Sequence, residues 1–228
     1  MKASFHGEQM AGVNSGIRAF LFDFGGVFTA SPFVAVEEFG RELGAEPAAV
    51  TEIVFGSYEH DGKHPWHRLE RGEITLEEAR AAIRTLGAAH ALDVDIYQLF
   101  ARMGASGAGA ETRGVLIGKV RELRAAGFYT GIITNNVREF GEAWHSLLPV
   151  EELFGFVVDS SDVGVRKPDP RIFELALGEL PGVAPAECVF LDDYAANVQA
   201  ARAFGMSAIQ VGADPAVTVA AIDALLGH

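Results

Sequence analysis

Cysteine is almost absent from this 228-residue chain. Its one example, Cys188, stands in the apolar run Cys188-Val189-Phe190-Leu191, which excludes an internal disulfide and marks the thiol as a small buried group. A reducing, cytoplasmic setting is expected. Long apolar runs are missing as well: 49% of the residues are hydrophobic, yet no uninterrupted stretch approaches the roughly 18 that span a bilayer. No membrane partner is expected. Positive charge is scarce, with 18 Lys and Arg against 31 Asp and Glu, a formal charge of −13. Without a basic stripe to neutralise several phosphates at once, nucleic acid is not an expected partner. Any small anion must be attracted locally, by a metal ion, one lysine or helix N-termini, against an adverse global field. Residues 1–16 have no charged start followed by an apolar stretch, so they read as a flexible tail and not as a secretory signal.

What is present is an alternation. Short apolar runs at 17–22, 128–134, 155–158, 188–191 and 207–211 predict buried strands. Helical spacing separates most of them, over 115–125, 138–148, 169–180, 195–204 and 215–226, with Gly127 and Gly205 at C-cap positions. This pattern implies a parallel α/β sheet. Between residues 32 and 109 no buried strand is evident, only amphipathic stretches at 33–43, 75–86 and 93–103 that suggest an inserted helical bundle. Thr75 followed by Glu78 is a capping box. The small residues of 104–110 read as a linker. The division expected is a tail over 1–16, an α/β core over 17–31 and 111–228, and a helical cap with its linker over 32–110, with cap motion about 29–32 and 104–114.

Ligands of open α/β sheets bind beyond the carboxyl ends of the strands, so the polar residues after each apolar run belong together. They are Asp23, Thr134 with Asn135, and Asp192 with Asp193. Any one alone reads as a turn or cap residue; three strand ends together point to a site. Lys167 joins them, in a loop stiffened by Pro168 and Pro170.

Phe22-Asp23-Phe24-Gly25-Gly26-Val27, Ile133-Thr134-Asn135-Asn136, Arg166-Lys167-Pro168-Asp169-Pro170 and Phe190-Leu191-Asp192-Asp193 with Asn197 resemble the four ordered motifs of the haloacid dehalogenase superfamily. The segment Trp66-His-Arg-Leu-Glu-Arg-Gly-Glu-Ile-Thr75 is similar to that of the subgroup containing the N-terminal phosphatase domain of soluble epoxide hydrolase. The resemblance implies a three-layer, Rossmann-like parallel-sheet core with a helical cap inserted between the first and second motifs. It also implies a phosphatase for a small phosphorylated metabolite; a monomer or a homodimer is expected. Asp23 would be the nucleophile, Thr134 and the backbone amide of Asn135 would hold phosphoryl oxygens, and Lys167 would neutralise charge. Magnesium would bind Asp23, the Gly25 carbonyl and Asp193, with Asp192 or Asn197 in support.

One departure stands out. The superfamily's phosphatases usually carry an acid/base aspartate two positions after the nucleophile, where this chain has Gly25. Glycine supplies a carbonyl but no proton, which favours substrates whose leaving group departs easily, such as sugar 1-phosphates, acyl phosphates and aryl phosphates. His60, His64 and His67 are candidates for a replacement, although histidines beside Gly and Pro more often read as solvated turn residues. Two other readings remain: a haloacid dehalogenase, disfavoured by the Asp192-Asp193 pair, and a binding or regulatory protein, favoured by Gly25.

Overall fold

The protein is described from a computed structural model over residues 16–105, 110–141 and 147–227. Five parallel strands form its sheet: β1 (Ala19–Phe22), β2 (Tyr129–Thr134), β3 (Phe156–Asp159), β4 (Cys188–Asp192) and β5 (Ser207–Gln210), in the order β3-β2-β1-β4-β5. Alternation along the strands builds two cores. Phe20 and Phe22 of β1 pack with Ile132, Val189 and Leu191 against α6 (Ala110–Ala125) and α11 (Pro215–Leu226). Ala19 and Leu21 point to the other face, with Ile133, Cys188 and Phe190, against α9 (Arg171–Gly178) and α10 (Ala195–Ala203). A strand buried on both faces reads as a continuous apolar run, as β1 and β4 do. The outcome is the expected three-layer α/β core. No helix among the described residues is long and apolar enough to cross a membrane.

Between β1 and α6 the chain forms α1 (Pro32–Glu42), α2 (Pro47–Phe55), α3 (Pro65–Glu70), α4 (Leu76–Ala89) and α5 (Ile96–Ala105). This helical insertion has its own core, including Val36, Phe39, Val54, Trp66, Leu69 and Ile83. The capping box of α4 is formed: Thr75 Oγ1 accepts from the Glu78 amide, and Glu78 Oε2 accepts from the Thr75 amide at 2.8 Å. Gly127 and Gly205 have the positive φ of C-caps, +90° and +102°.

Three expectations change. Of the helix predicted over 138–148, the described start is a 3₁₀ turn, Arg138–Phe140, followed by Gly141 at φ +50°; residues 142–146 lie outside the described residues. Leu148 and Val150 instead join the core beside the short α7 (Val150–Leu153). The linker read over 104–110 is shorter than expected, because α5 runs to Ala105 and α6 begins at Ala110; 106–109 lie outside the description. Of the predicted tail only Gly16 is described. The remaining short helix, α8 (Ser160–Val163), follows β3 directly.

Candidate active site

The sheet order reverses at β1: the chain runs outward through β2 and β3, then crosses back to β4. Such switch points open a crevice beyond the strand ends. Phe22 pairs with Leu191 in register, so Asp23 and Asp192 leave the sheet side by side, and the Asp23 amide donates to Leu191 O at 2.8 Å. Carboxylate oxygens of Asp23, Asp192 and Asp193 all lie within 4.8 Å of one another. Lys167 Nζ reaches into this group, 2.7 Å from both Asp23 Oδ1 and Asp192 Oδ2. Asp192 is fully buried and also accepts from the Tyr194 amide and from Asn197 Nδ2. The sequence therefore identified a set of residues that the fold does bring together.

Burial sets the electrostatics. It pushes the Asp23 carboxyl well above the usual carboxylate range, and the Asp192 and Asp193 charges add to the shift while Lys167 opposes it. Burial and Asp192 likewise push Asp193 up to about 6. For Lys167, burial disfavours the ammonium, yet the Asp192 and Asp23 carboxylates outweigh it and raise its pKa. With all groups ionised, three carboxylates share one lysine, leaving two surplus negative charges in a buried crevice. Three clustered oxygen donors with surplus negative charge fit a hard divalent cation.

Gly26 has φ +76°, and a Cβ there would fall on the Asp193 carboxyl group, so only glycine fits beside this aspartate. Gly25 is different: an added Cβ would meet only Pro32 Cδ, at 4.0 Å.

Asn135 does more than expected. Its side-chain amide accepts from the Lys167 backbone N–H at 2.8 Å and donates to the Lys167 carbonyl at 3.1 Å, clamping the lysine's main chain to the end of β2. The Lys167-Pro168 peptide is cis. Thr134 is buried at the same strand end. Asn136 donates from its amide to Ser160 Oγ at 3.0 Å.

The helical insertion covers this end of the sheet. Phe33 stacks on Tyr194, next to Asp193, at 4.7 Å, and Tyr58 meets Tyr194 edge-on at 5.2 Å. Buried Arg166 donates to Glu70 Oε2 at 2.7 Å, and Ser160 Oγ donates to Glu70 O at 2.6 Å. Beside the site lies a cleft of about 730 Å³, lined in part by Glu59, His60, Asp61, Pro168, Asp169 and Tyr194. The histidines separate: His60 lines this cleft and is exposed, whereas His64 caps α3 by accepting from the Trp66 amide at 3.2 Å. His67 is buried, with its pKa pushed down to about 3 by desolvation and by the Arg166 charge. The solvated-turn reading therefore fails for His67, which packs edge-on against Tyr58. Glu70 and Arg166 fall within the motif segments 66–75 and 166–170, but nothing in the sequence marks them as partners.

A model of the haloacid dehalogenase-like hydrolases matches residues 17–205. Mouse acyl-CoA dehydrogenase family member 10 is 35% identical over 214 residues, 92% of this chain and 19% of the relative. Mouse bifunctional epoxide hydrolase 2 is 30% identical over 208 residues, 86% of this chain and 36% of the relative. The chain thus spans about a fifth to about a third of these longer proteins. Shorter matches reach a protein named as a phosphatase from Mycobacterium tuberculosis, 37% identical over 40% of this chain and 42% of the relative. Another is a Pseudomonas (S)-2-haloacid dehalogenase, 28% identical over 42% of this chain and 41% of the relative. Among solved structures, a HAD family enzyme from Bacteroides thetaiotaomicron, in complex with magnesium and inorganic phosphate, superimposes with TM-score 0.55. It is 22% identical, with 86% of this chain and 95% of that chain covered. From the family match across most of its length, this chain belongs to the haloacid dehalogenase-like hydrolases.

Proposed function

We propose that the protein is a magnesium-dependent phosphatase acting on small phosphorylated metabolites with good leaving groups. The observation that carries this reading is Lys167 Nζ, 2.7 Å from both Asp23 and Asp192, in a pocket that also holds Asp193. Magnesium would be held by Asp23, Asp193 and the Gly25 carbonyl, with Asp192 or Asn197 in support. When bound it neutralises carboxylate and phosphoryl charge. Magnesium and phosphate in the Bacteroides neighbour support the same assignment.

In this reading Asp23 attacks phosphorus and forms an aspartyl phosphate as the P–O bond to the leaving group breaks. Thr134 and the Asn135 amide hold the phosphoryl oxygens. Lys167 lowers the repulsion between the anionic nucleophile and the anionic phosphate. Water then hydrolyses the acyl phosphate and regenerates Asp23. Gly25 offers no proton to the departing oxygen, so alcohols that leave readily as anions are favoured. The helical insertion acts as a cap that shields the crevice, and the adjoining cleft admits the leaving group. A dehalogenase needs no cation, which leaves the surplus charge of the Asp192-Asp193 pair without a partner.

The test is phosphate release from a panel spanning leaving-group acidity. Turnover should need magnesium, vanish with a chelator and in Asp23→Asn, and be fastest for aryl, acyl and anomeric sugar phosphates. Chelator-resistant release of halide from a 2-haloacid, with no phosphate release, would replace this reading with the dehalogenase.

A further inference from the structure

Arg166 and Lys167 are consecutive, but their side chains serve different parts of the molecule. Among the described residues, the acidic and aromatic partners of the Lys167 side chain all lie in the core: Asp23, Asp192 and the Phe190 ring. Those of Arg166 all lie in the cap. Glu70 accepts from its Nε at 2.7 Å, the Tyr58 ring faces its guanidinium carbon at 4.5 Å, and Asp61 Oδ1 stands 3.6 Å from Nη1. Tyr58 in turn donates to Glu70. Arg166 is a core residue with no exposed surface, plugged into a socket made by the cap.

Glu70 is tied to the core a second time. Its carbonyl accepts from Ser160 Oγ, which itself accepts from the Asn136 amide. The neighbouring Asn135 clamps the Lys167 backbone. One cap residue therefore touches both loops that set the lysine, through Arg166 and through Ser160.

The energetics make the socket conditional. A buried guanidinium that loses its carboxylate is strongly destabilised, so Arg166 can occupy this position only while Glu70 is seated. Among the described residues its Nη1 and Nη2 have no hydrogen-bond partner, and Nη1 has only the longer ion pair to Asp61, so even the closed arrangement is incompletely satisfied. When the cap lifts, the guanidinium must reach water, and the backbone that carries it also carries Lys167.

We propose that Arg166 is a positioning residue that couples seating of the cap, through Glu70, to placement of Lys167 between Asp23 and Asp192. The proposal rests on reading Lys167 as the lysine that neutralises charge at the nucleophile. It predicts a chemical step sensitive to the Glu70–Arg166 contact even though neither side chain touches the phosphate.

The experiment compares Glu70→Gln, Arg166→Met and the double variant in kcat, KM, melting temperature and hydrogen exchange of residues 164–170. Each single change should lower kcat by about 10- to 100-fold with KM within about threefold, and should speed exchange of the Lys167 amide. Removing both members of a buried pair costs far less stability than removing one, so the double variant should recover most of the melting temperature. Its kcat should stay about tenfold or more below wild type, with exchange still fast. Recovery of kcat together with stability would make the pair merely structural and overturn the proposal, as would unchanged exchange in Glu70→Gln. Should Arg166→Met not fold, Arg166→Lys, which keeps the charge but loses the planar fork, carries the same comparison. If wild type turns over no phosphate ester, the phosphatase reading falls, and the exchange measurement still decides the coupling.

Discussion

Gly25 and Gly26 show how two adjacent glycines can serve opposite purposes. At Gly26 the backbone is left-handed and Asp193 occupies the space of a side chain, so Gly26→Ala should displace that carboxylate. The expected outcome is loss of most magnesium affinity, read by calorimetry, with the fold intact by circular dichroism. At Gly25 a side chain has room. Gly25→Asp should therefore install the missing proton carrier and raise kcat/KM on alkyl phosphates by about 100-fold, changing aryl esters far less. A leaving-group dependence as steep in Gly25→Asp as in wild type would mean that the proton already comes from elsewhere. At this scale the sequence was informative about Asp23, Lys167, Asp192 and Asp193, because each follows an apolar run or a stiffened loop. It was silent on the clamp made by the Asn135 side chain, since a side chain that brackets a backbone 32 residues away leaves no local pattern.

The helices were readable to the extent that their signals are local. α4 announced itself through Thr75 and Glu78, and because this box is exposed its value can be measured cleanly. Thr75→Ala should cost about 1 kcal/mol in urea denaturation, and Glu78→Ala in the Thr75→Ala background should add little, since the two bonds form one reciprocal unit. Full additivity would contradict that. α2 and α3 carry a weaker local signal: both begin with proline, Pro47 and Pro65, at the position where a missing N–H is harmless. The start of the predicted 138–148 helix is a 3₁₀ turn for a tertiary reason. Arg138 is drawn to Ser161 O at 2.6 Å, Glu139 accepts from the Leu76 amide at 2.6 Å, and Gly141 turns the chain away. One contact within the α/β core and one to the helical insertion override helical spacing there.

At the scale of the whole molecule, the apolar core of the helical insertion meets the α/β layers across a polar seam. Arg166, Glu70, Tyr58, His64 and His67 are gathered there, and the seam makes stability depend on pH in a way the sheet does not. His67 is 2% exposed, and burial, with the charges of Arg166, His64 and Arg71, holds its pKa at about 3 against 6.5 in an unfolded chain. The facing carboxylate is Asp61, whose Oδ1 stands 3.9 Å from Nδ1. Below pH 6.5 the unfolded chain takes up a proton that the native protein refuses. The stabilisation is thus complete above pH 6.5 and is lost as pH falls through that value toward 3, reaching at most about 2 kcal/mol by pH 5. Asp23 and Asp193 act in the opposite sense, because their raised carboxyl groups take up protons in the native state first and relieve a burial cost on acidification. The wild-type curve is therefore a sum, and the difference between wild type and His67→Gln isolates the histidine. That difference in unfolding free energy should shrink by about 1–2 kcal/mol between pH 7 and pH 5. A difference independent of pH would show that the seam accepts an imidazolium, and hence that water or Asp61 screens Arg166 even with the cap closed.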